Sequence, residues 1–192
     1  MRRIVSKIFL ALRKHSAIIV LATILIVLVG FIKERTTIQK KTIASFAVDH
    51  RGMQPGVYFR EDERAGVPVL TADVRFYTPN AGRYLTTTEA HTIEHLLATY
   101  LRSSAYADNI VYFGPMGCRT GFYLLTIGMG EDEVCALLRE VIALSFEETA
   151  VPGAAEEQCG NYRDLSLREG VDALREFLPK CTKRQYKPLV LQ

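Results

Sequence analysis

Apolar residues recur along this chain in three rhythms. From Ala17 to Ile32 they form an almost unbroken run. From Val69 to Phe76 they alternate, with Leu70, Ala72, Val74 and Phe76 on one side and Thr71, Asp73 and Arg75 on the other, the two-residue period of a strand with one buried face. Ile93, Leu96, Leu97, Tyr100 and Leu101 instead repeat at the spacing of one helix face. The same reading predicts strands near Ile43 to Val48, Val57 to Arg60, Ile110 to Phe113 and Phe122 to Ile127. It predicts helices over residues 87–103, 131–148 and 166–178.

Local signals fix two of the helix starts. Thr86-Thr87-Thr88-Glu89 is a capping box, in which Thr86 accepts from the backbone and Glu89 reaches back. Ser166-Leu167-Arg168-Glu169 repeats the pattern. In the middle helix, Val134, Leu137, Leu138, Val141 and Ser145 mark the buried stripe. Strands cluster early and do not alternate regularly with helices, which predicts an α+β fold, an antiparallel sheet with helices packed on one face, in a single compact domain. Three regions follow: a basic and apolar extension over residues 1–41, a domain over 42–178, and a polar tail over 179–192. A domain of that length buries an adequate core.

Charge separates the extension from the rest. Residues 1–41 hold nine Lys and Arg against Glu34 alone, leaving 15 of the 24 basic and 20 of the 21 acidic residues to the remainder. The domain is therefore acidic, and nucleic-acid binding has no electrostatic support. The sixteen residues from Ala17 to Ile32 would cover about 24 Å as a helix, against a hydrocarbon core of roughly 30 Å. Ser16 and snorkelling Lys or Arg side chains extend that reach. No small-residue cleavage pattern follows, so residues 16–33 predict a membrane anchor rather than a cleaved signal. A start codon assigned too far upstream is the competing explanation. Basic residues flank both ends of the run, so orientation is not set by charge asymmetry.

The chemistry concentrates in His91-Thr92-Ile93-Glu94-His95. On a helix, residues four apart lie one above the other, so His91 and His95 can grip one ion while Glu94 projects beside them. Helix histidines can also be merely solvated, and two ligands do not make a site. A third protein ligand would leave one position open for water or substrate. The four histidines are His15, His50, His91 and His95, so nothing downstream of the helix supplies imidazole, and cysteines and carboxylates remain as candidates.

The four cysteines, Cys118, Cys135, Cys159 and Cys181, show no paired spacing and no disulfide-scaffold density. Cys159 follows the helix breaker Pro152-Gly153 and precedes Gly160, a setting that suits metal approach. Cys118 lies in Gly114-Pro115-Met116-Gly117-Cys118-Arg119-Thr120-Gly121, between two strand-like runs. There Arg119 would favour the thiolate and make the sulfur a usable base or nucleophile; a structural turn cysteine is the alternative. Cys135, inside a helix, and Cys181, in the basic tail, receive no role.

Taken together, Ser45-Phe46-Ala47-Val48-Asp49-His50, His91-Thr92-Ile93-Glu94-His95, Gly114 to Tyr123 and Gln158-Cys159-Gly160-Asn161-Tyr162 resemble the S-ribosylhomocysteine lyases, the LuxS enzymes of bacterial autoinducer-2 synthesis. The likeness covers about Thr42 to Leu178. It implies one divalent ion per subunit, Fe²⁺ with Zn²⁺ or Co²⁺ as substitutes, held by His91, His95 and Cys159. It also implies Cys118 and Glu94 as catalytic acid/base groups and Ser45, His50 and Arg75 as substrate contacts. The implied reaction cleaves S-ribosylhomocysteine to homocysteine and 4,5-dihydroxy-2,3-pentanedione, by metal-assisted proton shifts along the sugar and a final β-elimination. A homodimer with sites at the subunit interface and a cytoplasmic catalytic domain follow from the same resemblance. One departure is Tyr112, six residues before Cys118, where many relatives carry an aspartate. Two rival readings are a metallopeptidase, since His-x-x-Glu-His also serves inverted zinc proteases, and a catalytically silent metal-binding domain.

Overall fold

A computed structural model describes residues 19–26 and 42–189. The chain divides into two compact units, Met1–Ile43 and Ala44–Gln192. In the first, residues 19–26 are helical, and Ile19, Leu21, Leu25 and Ile26 each expose more than half of their surface. The rest of the expected anchor lies outside the described residues. Among the described residues, no helix is long and apolar enough to cross a membrane.

The second unit is an α+β fold on a five-stranded sheet. Strands β1 (Gly56–Arg64), β2 (Val67–Arg75), β3 (Ile110–Pro115), β4 (Gly121–Thr126) and β5 (Lys183–Arg184) lie in the order β3-β4-β2-β1-β5. All neighbours are antiparallel except the short β1–β5 pair. Strand β1 runs past the predicted Arg60 through charged residues to Arg64. Backbone pairing with β2 carries it there, across a tight hairpin in which Ala65 and Gly66 both have positive φ, 51° and 81°. The predicted strand at Ile43 to Val48 is instead a 3₁₀ turn, Ala44–Phe46, with a single bridge from Val48 to Pro188. Its alternation meets no neighbouring strand that would bury one face, and Ile43 and Phe46 stay exposed.

Helices α1 (Thr87–Ser103), α2 (Glu131–Leu144) and α3 (Leu167–Phe177) match the periodic stretches. Helix α2 ends in a 3₁₀ turn, Ser145–Glu147, that accounts for the extra residues predicted helical. Ala72, Val74, Phe122 and Leu124 from the sheet share one buried cluster with Ile93, Leu96 and Leu97 of α1, Leu137, Leu138 and Val141 of α2, and Val171 and Leu174 of α3. The helices therefore cover one sheet face. Burying side chains of this size contributes roughly 1.5–3 kcal/mol each, which is what holds α1 at a fixed height over the strands.

The opposite face is not left to solvent. Thr71, Asp73 and Arg75, the polar side of the β2 alternation, are buried as deeply as their apolar neighbours. The C-terminal residues cover part of this face: Tyr186 stacks on Tyr58 of β1, ring centroids 5.1 Å apart, and Asp49 and Leu189 donate backbone hydrogen bonds that tie residues 187–189 to residues 47–49. Cys181 is 1% exposed and belongs to the core, although its surroundings in sequence are basic.

Candidate metal centre

Helix α1 begins as its capping box requires: the Glu89 amide donates to Thr86 Oγ1 at 3.0 Å, and the Thr86 amide donates to Glu89 Oε2 at 2.7 Å. Two contacts from the other end of the chain fix its rotation. The Ser166 amide donates to Thr92 Oγ1 at 2.9 Å, and Gly170 of α3 lies so close that an added Cβ would sit 2.5 Å from Thr92 Cγ2. With Thr92 and Ile93 turned inward, His91, Glu94 and His95 emerge half-buried on the adjoining side.

Each imidazole is oriented by a backbone carbonyl. His91 Nδ1 lies 3.0 Å from Asp164 O and His95 Nδ1 lies 2.7 Å from Pro152 O. A carbonyl only accepts, so both Nδ1 atoms carry the proton and both Nε2 atoms are free to bind a metal. Asp164 is itself held to α1, because Thr88 donates to its carboxylate. The loop between α2 and α3 also delivers Cys159, whose Sγ lies 3.3 Å from His91 Nε2. The Asn161 amide donates to that sulfur at 3.4 Å, which helps fix where the sulfur points.

The ligand atoms of His91, His95 and Cys159 all lie within 4.8 Å of one another. Two imidazole nitrogens and one sulfur at this spacing fit a single tetrahedral ion with one position open, and second contacts fix both ring orientations. Glu94 and His95 line a cavity of about 420 Å³ with Thr99, Arg102, Ser103 and Gly153. Arg102, two turns after His95 on the same side of α1, gives this cavity a fixed positive charge.

Cys118 is held by different groups from those the sequence suggested. Arg119 turns away, its guanidinium 5.9 Å from the centre of the Tyr84 ring. Instead Arg75 Nη1 lies 3.8 Å from Cys118 Sγ, and Thr120 Oγ1 lies 3.1 Å from it. Burial pushes the Cys118 thiol up, but the Thr120 hydrogen bonds and the Arg75 guanidinium outweigh it and hold the thiol below its ordinary value. Arg75 is 2% exposed and paired with Asp73. Burial disfavours its charge, and the neighbouring carboxylate more than restores it. The turn carrying Cys118 is joined to the metal helix, because the Leu85 amide just before the Thr86 cap donates to Arg119 O at 2.8 Å.

Of the expected substrate contacts, Arg75 is thus buried beneath Cys118. Ser45 lies in the 3₁₀ turn and His50 just beyond it, with His50 Nδ1 donating to Val48 O at 2.9 Å. Tyr112 is 45% exposed on β3, and its ring covers Gly114, where a Cβ would meet the Tyr112 hydroxyl.

The model of the S-ribosylhomocysteinase (LuxS) family matches residues 43–187. The chain belongs to this family. It is 49% identical over 129 residues to an S-ribosylhomocysteine lyase of Clostridium acetobutylicum, covering 65% of this chain and 82% of the relative. It is 46% identical to the lyase of Clostridium beijerinckii, with 71% and 88% covered, and 44% identical to that of Phocaeicola vulgatus, with 74% and 94% covered. The LuxS match contains the metal cluster, Glu94, Cys118 and Arg75. It begins one residue before the second compact unit.

Sequence reasoning did not find the carbonyls of Pro152 and Asp164, because a carbonyl support leaves no mark in residue type. It also passed over Arg102, although its seven-residue spacing from His95 was a readable signal.

Proposed function

We propose that the protein cleaves S-ribosylhomocysteine to homocysteine and 4,5-dihydroxy-2,3-pentanedione, the autoinducer-2 precursor, at the His91–His95–Cys159 centre. The observation that carries this reading is the closure of the His pair by a cysteine rather than a carboxylate, within a chain that belongs to the LuxS family. An inverted zinc peptidase would close its site with a downstream glutamate, and Cys118 would have nothing to do there.

His91, His95 and Cys159 would hold one divalent ion, Fe²⁺ in our assignment, which would supply Lewis acidity for the proton shifts. Zn²⁺ and Co²⁺ suit the same mixed ligands. Cys118, whose thiolate Arg75 and Thr120 favour, takes protons from the sugar carbons and returns them. Glu94, beside His95 at the cavity wall, serves the hydroxyl oxygens and assists loss of the thiol in β-elimination. Ser45 and His50 position the sugar, Arg75 acts from beneath Cys118, and Arg102 suits the carboxylate of the homocysteine end.

We further assign the active protein to a homodimer. Phe46, 70% exposed beside Ser45, and the exposed Ile43 are apolar groups that a second chain would cover. The catalytic domain works on a cytosolic metabolite and is placed in the cytoplasm. The basic and apolar extension, residues 1–41, is a candidate tether to the membrane, on the strength of its composition.

The deciding experiment is anaerobic release of free thiol from S-ribosylhomocysteine by the iron-loaded full chain. Release that disappears in Cys118→Ala supports the lyase. Folded, metal-loaded protein that releases no thiol overturns it in favour of a silent metal-binding domain.

A further inference from the structure

The C-terminal segment lies outside the chemistry just described, yet it touches both Asp73 of β2 and the segment from Ala47 to Asp49. Its central residue is Tyr186. The ring stacks on Tyr58 at 5.1 Å with an interplanar angle of 28°, and the hydroxyl donates to Asp73 Oδ2 at 3.4 Å. Asp73 is paired in turn with Arg75, and Arg75 reaches Cys118. Immediately after Tyr186, Lys187 O accepts from the Asp49 amide at 3.0 Å and the Leu189 amide donates to Ala47 O at 2.9 Å. Both bonds fall within the segment from Ser45 to His50.

We propose that Tyr186 is a positioning residue that seals the buried Asp73–Arg75 pair beneath Cys118, while residues 187–189 clasp the Ser45–His50 segment to the same sheet face. This rests on the lyase reading for its meaning but not for its test. Asp73 Oδ1 and Arg75 Nε are buried and have no protein hydrogen-bond partner among the described residues. Water admitted beside them would hydrate the guanidinium, free it to move, and screen its charge from the sulfur. Burial holds the Tyr186 hydroxyl well above the usual tyrosine range, and the nearby Asp73 and Tyr123 reinforce this. It therefore stays protonated and remains a donor to Asp73.

The charged and titratable groups around Cys118 come from several elements. Arg75 of β2 and Tyr123 of β4 act on the sulfur and Arg119 lies in its own turn, while Asp73 beneath it is faced by Arg75, Tyr186, Tyr123 and His50, and Arg60 of β1 faces Tyr123 and Tyr186. Among the described residues, Arg75 is the cation that contacts the sulfur. The thiol should therefore report whether the seal over Arg75 is intact.

The test uses the full metal-loaded chain and follows alkylation of Cys118 by iodoacetamide against pH, with the modified peptide identified by mass spectrometry. In Tyr186→Ala the midpoint should rise by about one pH unit, toward an ordinary thiol. KM for S-ribosylhomocysteine should rise several-fold as the clasped segment loosens. Tyr186→Phe keeps the stack and the exclusion of water, so its midpoint should stay near that of the parent. Circular dichroism and metal content should be unchanged in both variants. A folded Tyr186→Ala protein with the parent's alkylation profile would overturn the proposal. So would a Tyr186→Phe midpoint displaced as far as that of Tyr186→Ala. Alkylation requires no turnover, so a shifted midpoint in a protein that does not cleave the substrate would retain the positioning role and reject the lyase reading.

Discussion

His95 donates from Nδ1 to the carbonyl oxygen of Pro152 at 2.7 Å, which makes a loop backbone the device that aims a metal ligand. The next residue, Gly153, has φ +70°, and a Cβ added there would lie 3.3 Å from that same nitrogen. Gly153→Ala would strain the turn and crowd the ring at once. Metal affinity should fall about 10- to 100-fold, the range for disturbed outer contacts of a metal ligand. Competition with a chelator measures it. Unchanged affinity would show that the carbonyl does not set the ligand's aim.

Cys159→Ala removes the only sulfur of the cluster and leaves two imidazoles. The purified variant should hold well under one metal ion per chain, as read by elemental analysis. Near-stoichiometric metal would remove Cys159 from the ligand set.

Glu94→Gln keeps the shape of the cavity wall and takes away the proton carrier. Metal content should match the parent, while turnover drops at least about 100-fold, the usual contribution of general acid/base catalysis. A variant within a few-fold of the parent would refute the role.

Burial pushes the Cys118 thiol up, but Thr120 and Arg75 outweigh it and depress its pKa in the folded protein. The sign follows from linkage. A thiol ionising more readily when folded contributes stability above its unfolded pKa and loses it as pH falls through the folded value. The acid limb of kcat/KM should therefore lie at lower pH than ionisation of Cys118 in the unfolded chain. In Arg75→Met, rapid alkylation of Cys118 should begin at higher pH. A parent midpoint equal to that of the unfolded chain would contradict the network.

The apolar run ahead of residue 33 should keep the full chain in washed membranes through salt and alkaline carbonate, while residues 42–192 should remain in the supernatant. Release of the full chain by carbonate would argue against a span.

Where a local signal names its own partner, the sequence was informative. Thr86 and Glu89 cap α1 reciprocally as their spacing predicts, Ser166 caps α3, and the Val134 to Ser145 stripe is buried as its period requires. The His-x-x-x-His pair was legible for the same reason, since helical geometry alone juxtaposes it. Contacts made across the chain were not. Arg75 and Cys118 are 43 residues apart, and only the β2–β4 register brings them together, so the adjacent Arg119 was taken for the thiolate's partner. Strand β5 holds two exposed basic residues, Lys183 and Arg184, and carries no strand pattern. Its place comes from backbone pairing with Val57 and Tyr58.

Gly170 carries no chemistry, yet it limits how the active site can vary. Its missing side chain is the space Thr92 occupies, and Thr92 follows His91 directly on α1. A larger residue at position 170 would collide with Thr92 and strain the contact between α1 and α3. Substitutions could accumulate on the outer turns of α3 at little cost, whereas one methyl group at Gly170 would press on the helix that carries His91 and His95.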